Sequence, residues 1–117
     1  MADRSFLDWP FFEPRHRELA DTLEEWASAN LGGIDHADVD NACRELVARL
    51  GEGGWLLHSA IDPQDETSGL DVRSLCIIRE TLARHDGLAD FAFAMQGLGT
   101  GALSLFGTKS QQRDWLP

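Results

Sequence analysis

Gly87-Leu-Ala-Asp-Phe-Ala-Phe-Ala-Met-Gln-Gly-Leu-Gly-Thr-Gly-Ala-Leu-Ser-Leu-Phe-Gly-Thr-Lys-Ser-Gln-Gln-Arg-Asp-Trp-Leu-Pro117 joins a long apolar stretch, three spaced glycines and a short polar ending. Leu88 to Phe106 is apolar around most of a helix circumference, the pattern of an element enclosed by its neighbours rather than lying on a surface, so it is expected to be the central helix. Thr108-Lys109-Ser110-Gln111 then matches a capping box, in which the threonine hydroxyl and the glutamine amide satisfy each other's backbone donors; a last helix starts there. Inside the long helix, Gly97, Gly99 and Gly101 each cost about 1 kcal/mol relative to alanine. Small residues there either let another backbone approach or leave room for a ligand.

Working back from this stretch, Asp71 is placed to cap a helix carrying Val72, Leu75, Cys76, Ile78, Leu82 and Ala83, with Arg79, Glu80 and Arg84 on the wetter side and Gly87 near its end. Before it, residues 62–69 are loop, and Gly53-Gly54-Trp55-Leu56-Leu57-His58 is too brief for another long helix. Val39, Cys43, Leu46, Val47 and Leu50 predict a further helix, with Asp38 or Asp40 as its cap and Gly51 as its stop. From Pro14, apolar side chains recur at Leu19, Leu23, Trp26 and Ala27 until Gly32-Gly33. Phe6-Leu7-Asp8-Trp9-Pro10-Phe11-Phe12 is too aromatic for a solvated tail and too proline-interrupted for a helix; residues 1–13 are expected to form an extended aromatic arm across a helical domain of residues 14–117. No repeat or strand-like alternation is present, so the fold class is all-α, a helical bundle.

Composition narrows the function. A chain of 117 residues with 43% hydrophobic and 26% charged residues fits one folded domain. A net charge of −10 without a compensating basic cluster argues against nucleic acid and anionic membranes. No run is long enough to span a bilayer and no signal peptide opens the chain, which suggests a cytoplasmic protein without membrane insertion. Cys43 and Cys76 lie in helical patterns without metal-ligand spacing and are expected to be buried thiols of a reducing compartment.

Several chemistries are poorly matched. Gly97-Leu98-Gly99-Thr100-Gly101 is not the Gly-x-Gly-x-x-Gly of a dinucleotide site, and Gly107-Thr108-Lys109-Ser110 is not a phosphate loop. His16, His36, His58 and His85 are scattered singly, so no metal ligand is assigned. None of the serines sits in a Gly-x-Ser-x-Gly elbow. What remains is one helical face, Phe91, Ala94, Met95, Leu98 and Ala102, able to bury methylenes at about 0.8 kcal/mol each, in a ligand or equally in neighbouring helices.

The apolar helix from Leu88 to Phe106, the Phe106-Gly107 pair, Gln111-Gln112-Arg113 and Leu116-Pro117 together resemble the N-terminal domain of the acyl-CoA dehydrogenases. The likeness runs from about Arg15 to Pro117 and is strongest after Leu75; a Pro-Glu-x-x-Gly-Gly turn frequent in that family is missing near Asp62-Pro63-Gln64. The resemblance implies the helical first domain of an FAD-dependent enzyme that desaturates an acyl-CoA or acyl-carrier thioester, commonly a homo-oligomer. Its middle β-domain and C-terminal helical domain are expected to be absent from this chain. It also implies that this helix lines the acyl pocket, which makes the face of Phe91, Ala94, Met95, Leu98 and Ala102 the candidate lining; bulky Phe91 is then expected to shorten the accepted chain and Asp90 to favour a polar terminus. No catalytic or cofactor-binding residue carries over, since the family's base and most flavin contacts lie in the other domains; the chain alone is expected to be inactive. The alternative is a non-catalytic helical interaction protein derived from the same fold.

Overall fold

The computed structural model describes residues 2–116, so Pro117 of the Leu116-Pro117 pair lies outside the described residues. Five α-helices are present among them, with no strand: α1 (Pro14–Asn30), α2 (Val39–Glu52), α3 (Val72–His85), α4 (Gly87–Phe106) and α5 (Lys109–Trp115).

Local chemistry sets the boundaries. Pro14 opens α1, where its missing N–H costs nothing. Asp38 caps α2 by accepting from the Asn41 N–H at 3.1 Å, Asp71 caps α3 through Arg73, and Thr108 and Gln111 form the expected reciprocal box at α5. Gly51 does not stop α2, which runs on to Glu52; the break comes at Gly53 and at Gly54, whose φ of 79° is left-handed. A Cβ on Gly53 would lie 2.8 Å from the Trp26 and Trp55 rings, so the small residue lets those indoles pack, 5.7 Å apart. A 3-10 turn, Trp55–Ser59, follows.

Gly87 begins α4, and a single residue joins the last long pair. Asp86 ends α3, its N–H donating to the Leu82 carbonyl at 2.8 Å, and starts α4, its Oδ1 accepting from the N–H groups of Leu88 and Ala89. His36 donates from Nε2 to its other oxygen, Oδ2, at 2.8 Å.

The main core gathers Leu23 and Ala27 of α1, Leu46 and Leu50 of α2, Trp55, Ile78 and Leu82 of α3, and Ala89 and Phe93 of α4. Helix α3 packs between α1 and α4, and α2 lies against α4. The molecule measures 43 × 41 × 18 Å, and with helix axes 8–10 Å apart a thickness of that order holds about two layers. Such a slab cannot enclose α4. The expectation of an enclosed central helix is therefore corrected: Phe91, Leu98, Leu105 and Phe106 are exposed along one side of it.

Two other expectations change. The arm is not extended: Ser5–Asp8 winds into a 3-10 turn that buries Leu7 against Ala20 and Ile77, and Phe6 meets Phe12 edge-on at 5.7 Å, while Trp9 and Phe11 stay exposed. Nor are the cysteines both buried, since Cys43 is half-covered and Cys76 is exposed on α3. Cys76 falls on the outer side of a helix whose inner side is carried by Ile77 and Ile78. In the native state a charged thiol reagent is expected to label Cys76 at once and Cys43 at least about tenfold more slowly. Equal rates, read by mass spectrometry, would contradict this placement.

Candidate functional site

Helix α4 has two unlike sides. On the inner side, Ala89, Ala92, Phe93 and Ser104 are buried, and the Thr100 hydroxyl donates to the Ser59 carbonyl at 2.9 Å, tying the helix to the 3-10 turn. On the outer side lie the residues read from helical spacing. Phe91, Met95, Leu98 and Ala102 are exposed and Ala94 is half-covered, forming one continuous strip about 16 Å long at 1.5 Å per residue. The five do share a face, as their spacing requires, and that face is an open wall.

The glycines divide in the same way. A Cβ at Gly97 would sit 3.7 Å from the Ser59 Cβ, ordinary contact, whereas at Gly99 and Gly101 nothing among the described residues lies within 4 Å. Packing within the chain therefore does not account for the helix penalty of about 1 kcal/mol at each of those two positions.

At the start of the strip, Arg79 grips Asp90 with Nε and Nη2, at 2.8 and 2.9 Å to the two carboxylate oxygens. Asp90 is thus held in a bidentate pair that fixes its orientation and takes one acceptor site on each oxygen. Glu80 is bonded to Arg84 at 3.1 Å. Neither carboxylate is set up as a proton-removing base.

Behind α4, on the side away from the strip, an open groove of about 620 Å³ runs between the 3-10 turn and α5, lined by Leu56, Leu57, Ile61, Gln96, Thr100 and Trp115. Spacing gave no sign of it, because its walls come from three separate stretches of chain. Trp115 was the one available hint, a large apolar side chain in an otherwise polar last helix.

The scattered histidines find carboxylates only through the fold. His16 is fully buried: its Nδ1 accepts from the Glu13 N–H at 2.9 Å, which leaves Nε2 to donate to Asp71 Oδ2 at 2.9 Å. His85 pairs with Glu24 at 2.9 Å. His58 stacks on Trp55, and burial pushes its ring below the usual imidazole range, opposed by the charge of Asp71. Among the described residues no three such side chains converge on a metal-sized site. The Ser74 hydroxyl donates to Asp71, not to a histidine, so no serine nucleophile is activated there.

An all-α slab with a capped, open-faced apolar helix and a boxed last helix is thus the arrangement to be placed, and residues 13–117 match the acyl-CoA dehydrogenase N-terminal domain. The chain belongs to the acyl-CoA dehydrogenase family. The match spans all five helices of this acyl-CoA dehydrogenase domain and begins at Glu13, immediately before α1. A search of curated proteins finds no match to the chain.

Proposed function

We propose that this chain is the acyl-pocket domain of an FAD-dependent acyl-CoA dehydrogenase, an enzyme that desaturates an acyl thioester between its α and β carbons. The observation that carries the reading is the strip Phe91, Ala94, Met95, Leu98 and Ala102, an apolar wall that the chain's own neighbours leave uncovered. A wall of this kind excludes water and holds methylenes, each contributing about 0.8 kcal/mol when buried. In this reading the chain's own residues bind and orient the acyl chain, and the reacting bond lies against polypeptide that supplies the base. Phe91 bounds the wall at one end and sets the accepted length. With its carboxylate oriented by Arg79, Asp90 stiffens that end and keeps acceptor sites for a polar terminus.

FAD, when bound, would accept the hydride. The described residues do not fit its pyrophosphate: Gly97, Gly99 and Gly101 lie within α4, where backbone N–H groups are committed to the helix, and the net charge is −10. The flavin would therefore be held by middle and C-terminal domains, in a homo-oligomeric cytoplasmic enzyme. Among the described residues no helix is long and apolar enough to cross a membrane, and two free cysteines suit a reducing compartment.

The test is to co-express the chain with polypeptide supplying those domains and to purify the complex. Flavin absorbance and oxidation of an acyl-CoA panel with an artificial electron acceptor are expected, with the isolated chain colourless and inactive. A stable complex that takes up no flavin and oxidises no thioester would overturn the reading and favour a non-catalytic interaction protein of the same fold.

A further inference from the structure

We propose that the 117-residue chain on its own forms a two-fold dimer, with the α4 strip of one copy laid antiparallel on the α4 strip of a second. Phe91, Met95, Leu98, Leu105 and Phe106 are 53%, 39%, 71%, 63% and 86% exposed in one row. Taking about 200 Å² for each side chain, the row offers roughly 600 Å² of apolar surface per copy. Two such faces meeting remove roughly 1,200 Å² from water, the lower bound for a specific, stable interface. A contiguous apolar patch of this size stands at the upper end of what monomers leave in water, where patches mark interaction surfaces.

Charge selects the same seam. The chain is acidic, with a net charge of −10, and two copies repel each other over most of their surface. Between Asp90 and Lys109 there is no ionisable residue, so repulsion is least along α4. A two-fold axis crossing near Gly99 runs the two helices antiparallel and brings the Lys109 end of one copy towards the Asp90 end of the other. Seven of the ten cationic side chains are in ion pairs; Lys109 and Arg113, four residues apart on α5, have no carboxylate partner among the described residues. Antiparallel helix dipoles add in the same sense. Gly99 and Gly101, with nothing within 4 Å of an added Cβ, let the partner backbone come close without a clash.

This does not rest on the enzyme reading, which is decided separately by flavin and thioester oxidation. Sedimentation velocity on the chain from about 1 to about 200 µM is expected to show a monomer passing into a dimer. Leu98→Asp, at the centre of the strip, is expected to weaken association at least about 30-fold with an unchanged helical spectrum. Leu57→Asp, equally exposed but on the opposite side of α4, should leave the dimer intact. A monomer at every concentration, a dimer untouched by Leu98→Asp, or a chain that stays monomeric while its strip takes up a soluble acyl thioester would each overturn the proposal.

Discussion

Phe93→Ala is expected to lower the stability of the chain by about 3–5 kcal/mol, enough to unfold a marginal domain, while Phe91→Ala changes it by less than about 0.5 kcal/mol. The two rings stand two residues apart on one helix, and composition or helix propensity cannot tell them apart. Phe93 is 2% exposed and sits among Leu46, Leu50, Ile78 and Leu82, so truncation leaves a cavity walled by three helices. Phe91 points to the other side, 53% exposed, where removing the ring leaves no enclosed cavity. Urea titration at a concentration where the chain is monomeric gives both values. Similar losses for the two variants would mean that α4 is rotated from the orientation described.

The second large effect is expected at Asp71, where one carboxylate serves four groups. Its Oδ2 accepts from His16 Nε2 at 2.9 Å, Ser74 at 2.8 Å and Arg15 at 2.7 Å, and its Oδ1 caps α3 through Arg73. Burial raises this carboxyl, yet the hydrogen bonds from His16, Ser74 and Arg15 outweigh it and hold the group well below the usual carboxylate range. Since the folded state favours the ionised form, the stabilisation is complete above the unfolded value of about 4 and is lost as pH falls through the lower folded value. Asp71→Asn keeps the shape and removes the charge, leaving buried His16 with a poorer acceptor. With the Asp71 side chain 27% exposed and Arg15 more so, solvent screening brings the expected cost to about 2 kcal/mol near neutral pH. The deficit of the variant should begin to shrink as pH falls below the unfolded value of about 4, and close only where the parent carboxyl is protonated in the folded state as well. Glu24, held low chiefly by Arg84, leaves some acid lability in either protein. A cost that stays constant from neutral to acid pH would show that charge is not the origin of the effect.

The contrast between Asp71 and His16 explains what the sequence makes visible. Asp71 as a cap was legible, because capping is settled within three residues of chain; so was the Thr108–Gln111 box, while the α2 cap was narrowed to Asp38 or Asp40, of which Asp38 serves. The role of Asp71 as acceptor for a histidine 55 positions away was not, since only packing α1 on α3 creates it. Gly51 shows the limit of punctuation: a glycine penalty of about 1 kcal/mol is overridden when the following residues still complete helical bonds, as Gly53 does to Arg49. The candidate strip was legible as a face, because 3.6-residue periodicity is local. Its exposure was not, because apolar character all round a helix says that something should cover it without saying what. The groove lined by Leu57, Gln96 and Trp115 was invisible for the same reason, being made by segments that meet only in space.

Asp86 leaves no slack between the two helices it joins. A connection one residue long, pinned by its own N–H on one side and by its carboxylate on the other, works as a welded corner rather than a pivot. The start of the apolar wall is therefore clamped to α3 and its angle is given once for all. The far end is moored too, since the Gln112 side-chain amide donates to the Leu103 and Ser104 carbonyls; a bulky guest must therefore be met by rotation of side chains along the wall and not by a swing of the helix.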